Sequence, residues 1–376
     1  MKPKIENLVI ENFRAIKKME LNGLGRVNLI TGRNNSGKST VLEAIRLLAS
    51  KASLAVIRSI LKYREEIIEP IFGNIKPIEA DGSFYLTSLF IGFPKFSEKL
   101  NSIVIDSSGI DYNMKILIKP TWLPVTEPQK NNDTIQDLVQ LRVLIGKRPG
   151  LEISINDTPH MVPLTDSIWN SSFDYWSSSG YEKLDEQPMP CLYLSPVGVD
   201  IPGIVGQLWD NVALSELEKD VIDALKIIDP KISAISMVGE ENSAIGRKAI
   251  TRAEGMSRPV PLRSFGDGMN RLFQMILMLV NAKGGILLID EFENGLHYSV
   301  QPKAWKLVFE LARRLDIQVF ATTHSWDAIE AFQEAAAEDP EEGVLVRLYR
   351  KDDRIIPTLF REDELAVVTR ERIEVR

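Results

Sequence analysis

The sequence predicts an α/β fold, a mixed sheet core flanked by helices and carrying a β-rich insertion. Three stretches predict it. Val27-Asn28-Leu29-Ile30-Thr31 is a short β-branched, apolar run that leads directly into GRNNSGKST, Gly32 to Thr40, and then into Val41 to Leu48 with helical spacing. Ile286-Leu287-Leu288-Ile289 is a second apolar run, ending in the paired acids Asp290 and Glu291. Ile317 to Thr323 is a third, ending in His324, and the helical stretch Ser299 to Leu315 lies between the last two. Short apolar runs joined by helical crossovers are the pattern of parallel strands covered on both faces.

Length and composition set the bounds. The 376 residues are enough for one large or two modest domains, with 44% hydrophobic and 26% charged residues as in ordinary globular chains. A formal net charge of −7 argues against uniform coating of nucleic acid, so nucleic acid stays open as a partner only through a local basic face. The single cysteine, Cys191, excludes a disulfide framework and a Cys-ligated zinc site, and is expected in the core. No apolar run approaches the ~20 residues of a membrane span, and no secretory h-region follows Lys2 and Lys4. The expectation is a cytoplasmic chain with no membrane partner.

In chain order, Ile5 to Ile10 alternates like a strand and leads into Asn12-Phe13-Arg14, and a second strand ends at Leu21. Ala55 to Ile68 has helical spacing and stops before Pro70. From Asp81 to Pro190 the character changes. Ser102 to Asp106, Tyr112 to Ile118, Val139 to Ile145 and Leu151 to Asn156 read as strands, with loops at Glu127 to Asp133 and Ser171 to Gly180. No internal repeat or sustained heptad occurs. Leu214 to Ile228 reads as a helix, and Arg247 to Arg271 is locally basic, either a solvated face or a phosphate contact. A hairpin over Val344 to Phe360 and a charged tail follow.

The chemistry gathers at the ends of the apolar runs. Gly32 to Thr40 fits G-x-x-x-x-G-K-[ST], in which glycines curl the backbone so that successive N–H groups face phosphates. Gly32, Asn34, Asn35, Ser36, Gly37, Lys38, Ser39 and Thr40 would then cradle a triphosphate over a helix N-terminus. Lys38 would reach the β/γ-phosphates and Ser39 would hold Mg²⁺. Asp290 would complete the Mg²⁺ shell and Glu291 would deprotonate the attacking water. His324 can hydrogen-bond the γ-phosphate. Ser264-Phe265-Gly266-Asp267-Gly268 places glycines before the helix Leu272 to Val280, another candidate anion-binding end.

Together these residues resemble the ABC-type ATPases, more narrowly the soluble branch with RecF, the SMC proteins and the OLD-like ATPases of phage defence. The resemblance covers roughly 1 to 50 and 190 to 376. GRNNSGKS is similar to the Walker A loop, ILLIDE to the Walker B strand, Glu293 to His297 to the D-loop, and His324 to the switch histidine. SFGDGMNRL resembles a divergent signature, with either Ser264 or Gly266 in the place of its serine and Gly268 as the firmer match. Asn12-Phe13-Arg14 is similar to the N-F-R opening in which the arginine approaches nucleotide, which makes Arg14 a candidate. EFENGLH and the stretch Ile373-Glu374-Val375-Arg376 look most like small OLD-like ATPases. No glutamine occurs between Thr40 and Pro128, so a Q-loop residue is not assigned.

What the resemblance implies is a P-loop NTPase fold of ABC-ATPase type. Residues 1–80 would form the N-terminal half of the core, 81–190 an accessory β-rich region, and 191–376 the signature region and C-terminal half. It implies an ATP-hydrolysing switch that dimerises head to tail, two copies sharing each ATP. OLD nucleases carry a TOPRIM domain with an Asp-x-Asp pair. The roughly fifty residues after His324 hold no such pair, so a separate effector, such as a nuclease, is expected in an anti-phage defence system. The alternatives are a RecF-like clamp on DNA, a transporter subunit and a small-molecule kinase.

Overall fold

The computed structural model describes residues 3–67, 85–94, 100–109, 112–124, 147–164, 189–199, 203–239, 247–338 and 342–375. The strand expected at Val139 to Ile145 and the loops expected at Glu127 to Asp133 and Ser171 to Gly180 lie outside them.

The chain opens with β1 (Asn7–Phe13), β2 (Ile16–Asn22) and β3 (Val27–Thr31), then α1 (Lys38–Ala49) and α2 (Leu54–Tyr63). Next come β4 (Ile103–Ser108), β5 (Met114–Pro124), β6 (Lys147–Ile155), β7 (Thr158–Pro163) and β8 (Cys191–Leu194). Helices α3 (Ile204–Asp210) and α4 (Glu216–Leu225) precede β9 (Ile232–Val238), β10 (Lys248–Ala253) and β11 (Val260–Pro261). The remainder is α5 (Asp267–Asn281), β12 (Ile286–Ile289), α6 (Gln301–Arg314), β13 (Gln318–Thr322), α7 (Trp326–Ala336), β14 (Gly343–Lys351), β15 (Arg354–Phe360) and α8 (Glu362–Arg370). The expected charged tail is therefore mostly the helix α8, because Leu365 and Val368 fall on one face and are buried.

The central sheet runs β15-β14-β3-β13-β12-β8, parallel except for β15 against β14. It is the mixed, helix-flanked sheet that the apolar runs predict. Alternation within those runs assigns the two faces. Leu29, Leu287, Ile289, Val319 and Ala321 join one core, with α3 to α7, while Ile30, Ile286, Leu288 and Phe320 join another around α1. The second core is closed by an antiparallel sheet, β2-β1-β4-β5-β6-β7, whose inward residues include Ile10, Ile105, Ile116 and Ile153. Helix α1 therefore lies between two sheets, with ten of its twelve residues buried. β4 pairs directly with β1, from Asn7 against Ser108 to Glu11 against Val104.

Polar residues inside the apolar runs are satisfied, as buried amides must be. Asn28 accepts from Gly25 N–H at 2.8 Å and donates to the Gly25 and Val319 carbonyls. Gln318 brackets Ile5, accepting from its N–H and donating to its carbonyl, both at 2.8 Å. These bonds fix the entry of β3 and β13, so both strands deliver their last residues at the same edge.

Candidate functional site

β3 ends at Thr31, and the chain turns through Gly32 to enter α1. A Cβ at Gly32 would stand 2.4 Å from the Leu348 carbonyl oxygen, so only glycine fits there. Asn35 and Gly37 take left-handed backbone angles, with φ of 61° and 92°, which wind the loop before α1 starts at Lys38. No side chain caps that helix start, so its first N–H groups remain directed at the loop, where an anion would accept from them. Ser36 Oγ is buried and has no hydrogen-bond partner, an orphan hydroxyl inside the loop. Lys38 Nζ donates to the carbonyls of Gly32 at 2.6 Å and Arg33 at 3.1 Å. Burial pushes the Lys38 ammonium below its ordinary value, while Asp290, Glu291 and Glu293 oppose that shift. The lysine thus shares one electrostatic environment with acids more than 250 positions away.

The acids are delivered by β12, every residue of which is buried. Asp290 Oδ1 accepts from Ser39 Oγ at 3.2 Å and Thr322 Oγ1 at 2.5 Å, and Oδ2 accepts from the Tyr193 hydroxyl at 3.2 Å. Glu291 follows with φ of 52°, a left-handed conformation that costs a non-glycine residue of order 1 kcal/mol. Two contacts hold it there. Its N–H donates to Thr322 Oγ1 at 2.9 Å, and Phe292 stacks on Trp305 with ring centroids 3.7 Å apart. The turn sends Phe292 into the core, fully buried, and leaves Glu291 half-buried.

At the end of β13 the N–H of His324 donates to Glu293 Oε1 at 3.1 Å, and the ring Nδ1 lies 3.3 Å from the same oxygen. A cavity of about 310 Å³ opens beside the loop, lined by Gly32, Arg33, Asn34, His324 and Glu374. Phosphate loop, acid pair and histidine thus meet at one edge of the central sheet. Ser39 Oγ and Asp290 Oδ1 are two hard oxygens side by side at the foot of the loop. They fit Mg²⁺, which takes few protein ligands and fills its shell with phosphate and water oxygens.

Four candidates from the sequence lie elsewhere. Arg14 is buried against Glu43, with Nε 2.7 Å from Oε2, and against Glu66, to which it donates at 2.6 and 3.0 Å. Its charge is spent on the α1 and α2 side rather than at the loop. Ser264 and Gly266 are exposed beyond the start of α5, and a Cβ on Gly268 would meet the Gly295 carbonyl oxygen at 2.7 Å. That places Gly268 beneath the turn of Glu293 to His297 in its own chain.

Sequence reasoning missed Tyr193 and Thr322, named Glu293 and Glu374 only as parts of family-like stretches with no role of their own, and misplaced Arg271. Far from a solvated face, Arg271 is buried and donates to the carbonyls of Ser195, Asp290 at 3.0 Å and Glu291 at 3.1 Å. Burial lowers its guanidinium to about 10, opposed by Asp290. Arg247 pairs with Asp210, leaving Lys248, Arg252, Arg258 and Arg263 as the exposed part of the basic segment. Thr322 could have been found, since it closes an apolar run opposite the acids; Tyr193 gives no such signal.

Residues 3–180 match a family model described as AAA ATPase domain. Residues 209–329 match one described as AAA domain, putative AbiEii toxin, Type IV TA system. The chain is 24% identical over 380 residues to an ATP/GTP phosphatase of Helicobacter pylori, covering 96% of each. It is 32% identical over 91 residues to the DNA replication and repair protein RecF of Caldanaerobacter subterraneus, 24% of each. Among solved structures it resembles an SMC head bound to the C-winged helix domain of ScpA, with a TM-score of 0.53 and 11% identity over 97% of this chain and 100% of that one. An SMC head with an extended coiled coil, bound to the C-terminal domain of ScpA derived from Pyrococcus furiosus, aligns with a TM-score of 0.50 and 11% identity, over 99% and 100%. Among the described residues no helix is long and apolar enough to cross a membrane.

Proposed function

We propose that this chain, an ABC-type ATPase of the RecF- and SMC-like class, is a molecular switch that dimerises head to tail on ATP and resets by hydrolysis. The observation that carries it is the hydrogen bond from Ser39 to Asp290 across 251 positions of sequence, which joins phosphate loop to acid strand. The α1 N-terminus and Lys38 bind the triphosphate, Lys38 exchanging the Gly32 and Arg33 carbonyls for phosphate oxygens. Ser39 and Asp290 hold Mg²⁺, which when bound offsets charge on the β- and γ-phosphates. Glu291, left half-buried after its left-handed turn, orients and deprotonates the attacking water, and His324, steadied by Glu293, donates to the γ-phosphate. The exposed start of α5, with Ser264, Gly266 and Gly268, caps the γ-phosphate of a second copy.

The relative named ATP/GTP phosphatase, aligned along nearly its whole length, supports nucleotide hydrolysis. A cytoplasmic sensor in anti-phage defence, acting on a separate effector such as a nuclease, is the reading that the AbiEii description over 209–329 favours. A RecF-like clamp on DNA is the second reading, favoured by the exposed Lys248, Arg252, Arg258 and Arg263. Duplex binding that strengthens with ATP and falls steeply with salt would select it.

The test is Glu291→Gln. The variant should bind ATP as the parent does, hydrolyse it about 10²–10⁴-fold more slowly, and accumulate as an ATP-dependent dimer in sedimentation. Hydrolysis at the parental rate removes Glu291 as the base.

A further inference from the structure

Arg271, one turn into α5 and 5% exposed, is a buried cation with no part in the chemistry above. Its Nη2 donates to the carbonyls of two consecutive residues, Asp290 at 3.0 Å and Glu291 at 3.1 Å, and its Nη1 donates to the carbonyl of Ser195, just past β8. Successive carbonyls of an extended chain point to opposite sides. One nitrogen reaches both here because Glu291 takes φ of 52°. The guanidinium therefore fits the left-handed turn itself, and relaxation of that turn would break one of the two bonds.

The two acids depend on it unequally. The Asp290 carboxylate has its own donors in Ser39, Thr322 and Tyr193. Glu291 is held through its backbone, by Thr322 Oγ1 at its N–H and by Arg271 and the Asn294 N–H at its carbonyl. Helix α5 is packed closely on the same turn: a Cβ on Gly268 would meet the Gly295 carbonyl oxygen at 2.7 Å, and one on Gly295 would meet the Arg271 Cβ at 3.5 Å. A buried cation is costly, and where only packing is needed an apolar side chain of similar volume often serves as well. Resting on the reading of Glu291 as the base, we propose that Arg271 is a positioning residue for hydrolysis, clamping the turn that places Glu291 against the attacking water.

The test is a double-mutant cycle on single-turnover hydrolysis of labelled ATP, run well below the melting temperature, with Arg271→Lys, Glu291→Gln and the pair. One ammonium nitrogen cannot stand at both Nη1 and Nη2, so Arg271→Lys keeps the charge and loses the fork. We expect its saturated rate to fall about 100-fold, the factor for a displacement of about 1 Å. ATP affinity in chelator and the Mg²⁺ concentration for half-maximal hydrolysis should both stay within about twofold. In the Glu291→Gln background the same substitution should change the rate by less than about twofold, because the base it places is already gone. Arg271→Ala gives a second readout: guanidinium chloride at low, non-denaturing concentration should restore part of the rate, and the same concentration of NaCl should not. A parental rate in Arg271→Lys, equal losses in both backgrounds, ATP affinity lost along with the rate, or no recovery with guanidinium overturns the clamp. Parental hydrolysis by Glu291→Gln sinks the reading of the base instead, a different signal from a slow Glu291→Gln beside an Arg271→Lys that turns over normally.

Discussion

The two large sheets meet across α1 but do different work. In the central sheet β3, β12 and β13 are buried at every position. Their backbones have no freedom to slide, and the residues that follow them, Gly32, Asp290, Glu291 and His324, arrive together. In the antiparallel sheet β4 and β5 alternate buried with half-exposed. That sheet lends one face to the core and presents the other outward, and of the candidates it carries only Arg14, at the end of β1. A doubly covered sheet fixes chemistry at its edge, whereas a singly covered one supports the helix from which that chemistry is read.

Two lysines, Lys38 at the start of α1 beside the edge of the central sheet and Lys18 on the antiparallel sheet, put this contrast to its hardest test. Lys38→Ala should lose ATP affinity at least about 100-fold in direct binding of labelled nucleotide, since charge-assisted hydrogen bonds contribute about 1.5–3 kcal/mol each. Lys18→Ala on β2, where the ammonium is 59% exposed between Glu11 and Glu20, should leave binding unchanged. If both variants bind alike, the division of labour between the sheets is wrong.

The same contrast explains what could be read in advance. ILLI and VNLIT announced themselves because both faces are covered and the whole run must be apolar, and GRNNSGKST because its backbone needs glycine where Leu348 crowds Gly32. What stayed hidden depends on partners distant in sequence. Nothing local says that Arg271, one of several basic residues in its segment, is the one swallowed to hold the Asp290 and Glu291 carbonyls. Nothing in Asn12-Phe13-Arg14 says that β1 pairs with β4 about a hundred residues on, or that Glu43 and Glu66 claim the arginine. The left-handed Glu291 is invisible too, since its strain is offset by Thr322 and by Phe292 on Trp305.

Arg14 is where the two sheets bear on each other, and its removal should be felt as stability rather than affinity. Glu43 is 5% exposed and Arg14 6% in their side chains. Leaving one partner of a buried pair uncompensated costs about 3–5 kcal/mol. Arg64, 2.8 Å from the other Glu43 oxygen, keeps part of that charge paired, so Arg14→Ala should lose about 3 kcal/mol by denaturant titration. Its ATP affinity, measured well below the melting temperature, should stay within about twofold. A large affinity loss without destabilisation would return Arg14 to the nucleotide, as its place in the N-F-R stretch suggested.

The smallest effect, and the finest probe of how rigidly the central sheet holds its acids, is Tyr193→Phe. Tyr193 projects from β8 towards α1, its ring beneath the Arg46 guanidinium at 4.4 Å and edge-on to Tyr63 at 6.1 Å. Burial, reinforced by Asp290, raises the phenol well above its usual range, so it stays a donor to Asp290 Oδ2 throughout the working pH. Removing the hydroxyl keeps the packing and deletes one of three bonds that orient the carboxylate. Ser39 and Thr322 still hold Oδ1, so the loss should be about 1 kcal/mol, or roughly fivefold. It should appear as a higher Mg²⁺ concentration for half-maximal hydrolysis, with ATP affinity in chelator unchanged. A structural role alone would lower the melting temperature and leave the Mg²⁺ requirement where it was, and a drop in hydrolysis with no shift in that requirement would dissociate Tyr193 from the metal-binding acid.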